Sequence, residues 1–349
     1  YQQLLDAFGE LKIPLQSTSK EALDDLPEGM YPEVDLLKNW RGANMFGVKF
    51  GDNLLSNIHA ETKRIYPSYT QIGADTGRMS CSNPPWQQIP AKTRDGQRLR
   101  ACVVAEKFYE LIVNDYPNIE LRILAEYSGD KNMLKFFADG VDLHAATARM
   151  MFNLPDTFKP KEDRHPTIGV LYRDIAKTIN FGLVYGMSAM KLARTLKITK
   201  EQAQELMDKY FRLYPGVVQW LKRQRVLGPN QGFSTTLSGR KRFYELPERY
   251  SPDFNKIRSS IERQACNSPI QGSSADITKL ALALTYERLP EAARIVAVVH
   301  DEIVVEAPKE IAGECAKILS QAMKESCLKY LKRVDIPDFV ATIGKHWTH

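Results

Sequence analysis

No CxxC pair occurs in the 349 residues, and the five cysteines (Cys81, Cys102, Cys266, Cys315 and Cys327) are scattered and odd in number. That excludes a zinc ribbon and a disulfide framework, and it fits reduced thiols in an intracellular protein of a cytoplasm, nucleoid or organelle matrix. Also missing is any apolar run near the ~20 residues that cross a bilayer, so no membrane association is expected. No signal-peptide pattern opens the chain, and no internal repeat or low-complexity tract interrupts it. A dominant charge is lacking too: 48 Lys+Arg against 42 Asp+Glu leave a net charge of +6. So mild an excess permits a polyanionic partner without requiring one. The first residue is Tyr1 and not methionine, so the chain is expected to be a processed product or the ordered part of a longer one.

What is present is ordinary for a globular protein, with 43% hydrophobic and 26% charged residues. The length suffices for two or three domain-sized units. Residues 1 to about 70 have a helical pattern broken by Pro14, Pro27, Gly29, Gly42, Gly47 and Gly51, with a capping box predicted at Thr18 to Glu21. Residues 71–100 are rich in Gly, Pro, Asn and Ser and read as an extended, loop-dominated strip. A strand is predicted over Phe108 to Val113. Helices follow to about Leu221, with starts at Ser128, Asp142 and Thr199 (Thr199 to Gln202 being a second capping box). A short hairpin is predicted at Gly232 to Arg242, helix at Ile257 to Leu289, a β-hairpin at Ile295 to Ala307 and a last strand near Phe339 to Ile343. Strands from distant segments flank a helical insertion, which makes the class α+β.

Three stretches carry chemistry. In Ala297-Val298-Val299-His300-Asp301-Glu302-Ile303-Val304-Val305, adjacent carboxylates sit between runs that are normally buried. Charge beside a core costs several kcal/mol unless a cation or a set of hydrogen bonds compensates it. The segment is therefore a metal site at a hairpin tip, or a solvated turn. Asp115, after the apolar Leu111-Ile112-Val113, offers a second strand-end carboxylate and on its own reads equally well as a turn residue. Two such aspartates on one sheet suit a pair of Mg²⁺ ions, which favour hard oxygens and take phosphates into their shell. The third stretch is Arg173 to Gly186, in which Arg173, Lys177, Phe181 and Tyr185 recur every four residues on one drifting helix face. They span about 18 Å at roughly 1.5 Å per residue. Cations at the N-terminal end suit a triphosphate and the later aromatics a base plane. An amphipathic helix with a basic start explains the spacing equally well.

Taken together, these segments resemble motifs A, B and C of the family A (Pol I-like) DNA polymerases. Asp115-Tyr116-Pro117-Asn118-Ile119-Glu120-Leu121-Arg122 resembles motif A, Arg173 to Gly186 the fingers helix, and Val299-His300-Asp301-Glu302 motif C. Two further segments agree in order and spacing. One is Thr76-Gly77-Arg78-Met79-Ser80 with Asn83-Pro84 and Gln87-Gln88-Ile89-Pro90; the other is Asn267-Ser268-Pro269-Ile270-Gln271-Gly272. The resemblance covers residue 70 to the end well, and the first 70 residues as a partial thumb.

The resemblance implies a right-hand polymerase with an antiparallel-sheet palm (71–127 and 259–349), helical fingers (128–258) and a partial helical thumb (1–70). It implies 5′→3′ primer extension from dNTPs on primer–template DNA, by a monomer, with no proofreading exonuclease in this chain and an upstream exonuclease or accessory domain in the whole protein. Asp115, Asp301 and the Tyr116 carbonyl would ligate two Mg²⁺ ions, for which Mn²⁺ can stand in, and Glu302 would take a secondary catalytic part. Arg173, Lys177 and His144 would hold the triphosphate, with Lys177 also a proton donor to pyrophosphate. Phe181 would stack on the nucleotide, Tyr185 would guard the templating position, and Glu120 would exclude a ribose 2′-hydroxyl. Asn118 would lie at the nucleotide. Arg78, Asn83, Asn267, Gln271 and His300 would contact primer, template or the minor-groove acceptors common to all base pairs. Arg240 would approach the template strand, or else form part of a solvated basic turn.

One departure stands out: Pro117-Asn118 replaces the family's usual Ser-Gln. Proline removes a backbone donor and Asn reaches less far than Gln, so this pair bears on fidelity and sugar selectivity. Three other readings are weighed against the DNA polymerase. A single-subunit RNA polymerase usually has Tyr in place of Phe181 and no acidic gate at the Glu120 position. A binding protein without catalysis would not need both aspartates and both triphosphate cations. A two-metal nuclease remains chemically close.

Overall fold

The computed structural model describes residues 1–27, 29–91, 93–184 and 186–347, with the backbone alone described at Val184. Two compact units form, Tyr1–Tyr69 with Cys81–Trp86, and Thr70–Ser80 with Gln87–His349.

The first unit is helical: α1 (Gln2–Glu10), α2 (Lys20–Asp24), α3 (Pro32–Phe50) and α4 (Asp52–Ser56). Phe8, Ile13, Leu23 and Val34 make its small core. Pro32 opens α3, where its fixed φ suits the first helical turn and its missing N–H goes unneeded. The cap of α2 differs from the expected Thr18. Ser19 accepts from the Ala22 N–H at 3.2 Å, while the buried Thr18 binds Arg41 through its hydroxyl and carbonyl. Two short strands follow, β1 (Ser68–Thr70) and β2 (Ser80–Ser82), and then a 3₁₀ turn at Trp86–Gln88.

Part of the strip read as extended is helical, because Thr93 caps α5 (Arg94–Ala101) by accepting from the Gly96 N–H at 3.1 Å. Gly96 also has to be glycine, since a Cβ there would lie 1.8 Å from the Pro90 carbonyl oxygen. The chain then forms β3 (Tyr109–Asn114), α6 (Ile119–Ser128), α7 (Lys131–Ala138), α8 (Leu143–Phe152) and α9 (Tyr172–Val184). Next come α10 (Ala189–Leu196), α11 (Lys200–Leu213), α12 (Pro215–Gln231), β4 (Phe233–Thr235) and β5 (Lys241–Phe243). The long α13 (Phe254–Arg288), β6 (Arg294–Val299), β7 (Glu302–Pro308), α14 (Ala312–Tyr330) and β8 (Thr342–Gly344) complete the chain. Asp142 and Thr199 do cap α8 and α11, the latter as a full capping box. For α7 the cap is Asp130 and not Ser128; its second oxygen also accepts from the Gly216 N–H at 2.8 Å.

The sheet that positions the site has strand order β6-β7-β3-β8 with all pairs antiparallel. Its β-branched runs are buried on both faces, and α14 packs on β3, β7 and β8. At roughly 1.5–3 kcal/mol for each buried Val or Ile, this burial holds the strand ends rigid. Strand and helix together make the α+β class expected.

Candidate active site

Register decides where the acidic strand ends meet. Val113 pairs with Val304 and Asn114 with Ile303, so the chain leaves β3 at Asp115 beside the β6–β7 turn that carries His300 and Asp301. His300 sits at φ 60° in that two-residue turn. Both aspartates are half-buried. Burial and then the Asp115 carboxylate push the Asp301 carboxyl up to about 6, with Glu120 adding to the shift and Arg78 opposing it. Two anions in so poorly hydrated a place repel unless protonated or bridged by a cation.

Behind Asp115 the chain enters α6. Tyr116 is buried, its hydroxyl 2.7 Å from the Ser326 Oγ, and burial raises its phenol well above the usual range. Pro117-Asn118 then makes the turn, with Asn118 left-handed at φ 57° as the N-cap. Asparagine tolerates that conformation better than most residues. The Asn118 side chain makes no capping bond. Glu120, in the first turn of α6, is buried and accepts from Arg78 Nη2 at 2.5 Å. Arg78, His300 and Gln87 line one cavity, and the Gln87 amide donates to the Val298 carbonyl at 3.3 Å. The structure thus brings Asp115, Asp301, Glu120, Arg78 and His300 together.

Arg173, Lys177 and Phe181 share one face of α9, and Tyr185 lies outside the described residues. Arg173 donates from Nε to Asp142 Oδ2 at 2.6 Å. His144 is not offered as a cation. It is 2% exposed, its Nδ1 is 2.9 Å from the Asn180 amide nitrogen, and burial lowers its pKa from the ordinary 6.5 to about 4. With Nδ1 facing the Asn180 amide, the ring is neutral and packs 5.4 Å from the Phe181 ring. Asn180, which sequence reasoning missed, is fully buried. Its one signal is a polar residue beside the apolar Ile179 on the inner face of α9.

Arg240 is a structural clamp. Its Nε donates to Asp276 at 2.9 Å, and its Nη2 donates to the carbonyls of Thr76 at 2.6 Å and Gly272 at 3.2 Å. Gly77, at φ +84°, explains the local sequence, since a Cβ there would come within 2.4 Å of the guanidinium. These donors hold the Thr76 strip on α13. Asn267 and Gln271 lie half-buried on α13, and the Asn267 Oδ1 is buried without a hydrogen-bond partner among the described residues. Asn83 falls in the first unit, at φ 50° before Pro84.

Glu302 follows Asp301 at the start of β7. Alternation along β7 puts it on the face shared with Val304 and Glu306, away from Ile303 and Val305. There it accepts from Arg100 Nη1 at 3.3 and 3.4 Å and from the Trp347 indole at 2.7 Å. Arg100 also lies 4.1 Å over the Trp347 ring. These contacts make Glu302 a brace behind the hairpin. Neither Arg100 nor Trp347 was legible beforehand; an acidic residue on an inward strand position was the single hint.

Comparison with known proteins agrees with this geometry. The family model described as DNA polymerase family A matches residues 4–349. The thermostable DNA polymerase I of Thermus aquaticus is 38% identical over 326 residues, covering 92% of this chain and 37% of the relative. DNA polymerase I of Pseudomonas aeruginosa is 36% identical over 335 residues, covering 95% and 35% respectively. The chain thus spans little more than a third of the length of these relatives. A solved structure, described as the POL domain of Pol1 from M. smegmatis in complex with DNA primer-template and dNTP, superposes with a TM-score of 0.87 at 33% identity. That match covers 99% of this chain and 60% of the other, and makes the architecture a right-hand polymerase fold. On the family match, the sequence identities and this superposition, the chain belongs to family A of the DNA polymerases.

Proposed function

We propose that the chain extends a primer on a DNA template, transferring nucleotidyl groups from dNTPs in the 5′→3′ direction and releasing pyrophosphate. The observation that carries this reading is the Asp115–Asp301 pair, two carboxylates at neighbouring strand ends with Asp301 pushed up to about 6. Their donor chemistry fits Mg²⁺, or Mn²⁺ in its place, because hard oxygens predominate and the Tyr116 carbonyl adjoins Asp115. Among the described residues no group of three or more His, Cys, Asp or Glu could hold a metal ion, so substrate phosphates and water would complete the shell. When bound, a pair of such ions activates the primer 3′-hydroxyl and neutralises charge on the leaving pyrophosphate.

The chain's own groups do the rest. Asp115 and Asp301 hold the pair; Arg173 and Lys177, near the positive end of α9, bind the triphosphate together with the neutral His144 ring as an N–H donor, and Lys177 supplies a proton to the departing oxygen. Phe181 stacks on the incoming base, Tyr185 guards the templating position, and Glu120 fills the space that a 2′-hydroxyl needs. Asn118 shapes the same pocket. Arg78, Asn83, Asn267, Gln271 and His300 touch primer or template. Residues 1–70 serve as part of a thumb, 71–127 and 259–349 as the palm, and 128–258 as the fingers. The chain acts as a monomer inside the cell and leaves mismatched primer ends uncleaved. Among the described residues no helix is long and apolar enough to cross a membrane.

The test is primer extension alongside DNA binding. Asp301→Asn is expected to abolish Mg²⁺-dependent extension and to leave primer–template affinity within about twofold, with the parent chain preferring dNTPs to NTPs. Absence of extension by the parent chain would sink the proposal, as would loss of DNA binding together with folding in the variant.

A further inference from the structure

We infer that Asp142 is a stand-in for the substrate phosphate: it occupies Arg173 whenever no nucleotide is bound, weakens polyphosphate binding, and returns to Arg173 as pyrophosphate leaves. The inference rests on the proposed role of Arg173 as a triphosphate ligand.

Three observations carry it. First, the Asp142 carboxylate is fixed in place. Its Oδ1 accepts from the backbone N–H groups of His144 at 2.9 Å and Ala145 at 3.2 Å, as the N-cap of α8. Its other oxygen is thereby aimed, and accepts from Arg173 Nε at 2.6 Å. Second, the pair is exchangeable. The Arg173 and Asp142 side chains keep 27% and 41% of their exposure, so water and a competing anion can reach both. Third, the pair opens on a cavity lined also by Lys159, Lys161 and Glu162; Lys159 pairs with Glu162 at 2.9 Å, which leaves Lys161 as the added cation facing a polyphosphate that displaces Asp142. Desolvation opposes charge on Asp142, but its bonds to Arg173 and to the helix N–H groups outweigh that and hold its carboxyl below the usual range. It is therefore ionised at neutral pH and able to compete.

A part-exposed ion pair of this kind changes an equilibrium about two- to fivefold. An internal competitor weakens by one common factor every ligand that needs the same guanidinium. The triphosphate and the pyrophosphate product should therefore feel Asp142 alike, whereas primer–template should not feel it.

Asp142→Asn removes the charge and keeps a good helix cap, since Asn caps about as well as Asp. The expected result is a two- to fivefold fall in KM for dNTP and an equal fall in the inhibition constant for pyrophosphate, with primer–template KM unchanged. In an Arg173→Ala background the same substitution should change neither constant. Asp142→Ser, a second capping residue, should repeat the pattern, and thermal melts of both variants show whether the fold is intact. A rise in dNTP KM, unchanged constants, or an undiminished effect without Arg173 overturns the inference. Failure of the parent chain to extend a primer at all is a separate outcome, and it overturns the polymerase reading on which this one rests.

Discussion

Replacing Glu302 separates a bracing role from a catalytic one. The Arg100 and Glu302 side chains are each 6% exposed, and both carboxylate oxygens lie 3.3–3.4 Å from Arg100 Nη1. The Trp347 indole donates to the same carboxylate at 2.7 Å. Arg100 Nε is already buried without a partner among the described residues, so the guanidinium has little compensation to lose. Glu302→Ala strands a buried cation and an indole N–H together. Breaking one side of a buried pair costs about 3–5 kcal/mol. At roughly 2–4 °C per kcal/mol for a unit of this size, the melting temperature should fall by about 6–20 °C. Because replacing both members of such a pair with apolar side chains is often neutral, Arg100→Leu with Glu302→Leu should recover a large part of that loss. The assay is a calorimetric melt of each variant, with primer extension measured well below the lowest midpoint. Extension per folded molecule should stay within about tenfold of the parent. A melting point within about 2 °C of the parent, coupled with abolished extension, would refute the brace and return Glu302 to the chemistry.

Two further outcomes follow from the site. Glu120→Ala should raise ribonucleotide incorporation relative to dNTP by roughly 10–200-fold, the range a pocket gains or loses over one small group. Arg78→Ala should move the ratio the same way by less, since Arg78 holds the Glu120 carboxylate. Incorporation assays with matched dNTP and NTP check both, and an unchanged ratio in Glu120→Ala rejects the gate. The second outcome concerns pH. His144 titrates at about 4 in the folded chain against an ordinary 6.5. Between those values the unfolded chain binds a proton that the folded one refuses, so stability should decline as pH falls from 6.5 towards 4. Urea melts at pH 7 and pH 5 should show a smaller drop for His144→Gln, which keeps an acceptor for Asn180. Equal drops would mean that His144 is not the group responsible.

Motif order, the aspartates after apolar runs, the α9 face and the caps at Asp142 and Thr199 were all legible before any coordinates. They are short-range features: a cap reaches three residues, a helix face repeats every three or four, and a strand alternates every two. Where local signals overlapped, reading was less sharp. Thr18 and Ser19 both have capping chemistry, and only the Ala22 N–H distinguishes them. Thr93 sits in a Gly- and Pro-rich strip that masks α5, because the glycine at 96 serves a close approach to Pro90 and not a turn.

By itself, then, the sequence determined the α+β class, the family and the identity of the two acidic strand ends, because each is written in residue type and spacing. Tertiary structure alone decided which charges are spent on the protein. Arg100 meets Glu302 across 202 residues, Arg240 meets Thr76 across 164, and Arg173 meets Asp142 across 31. No periodicity encodes such pairs; they arise from strand register and from which helix crosses which strand. The same contacts make His144 a neutral ring, Arg240 a clamp and Glu302 a brace. Burial and partner choice set the charge of a side chain, and both belong to the folded chain.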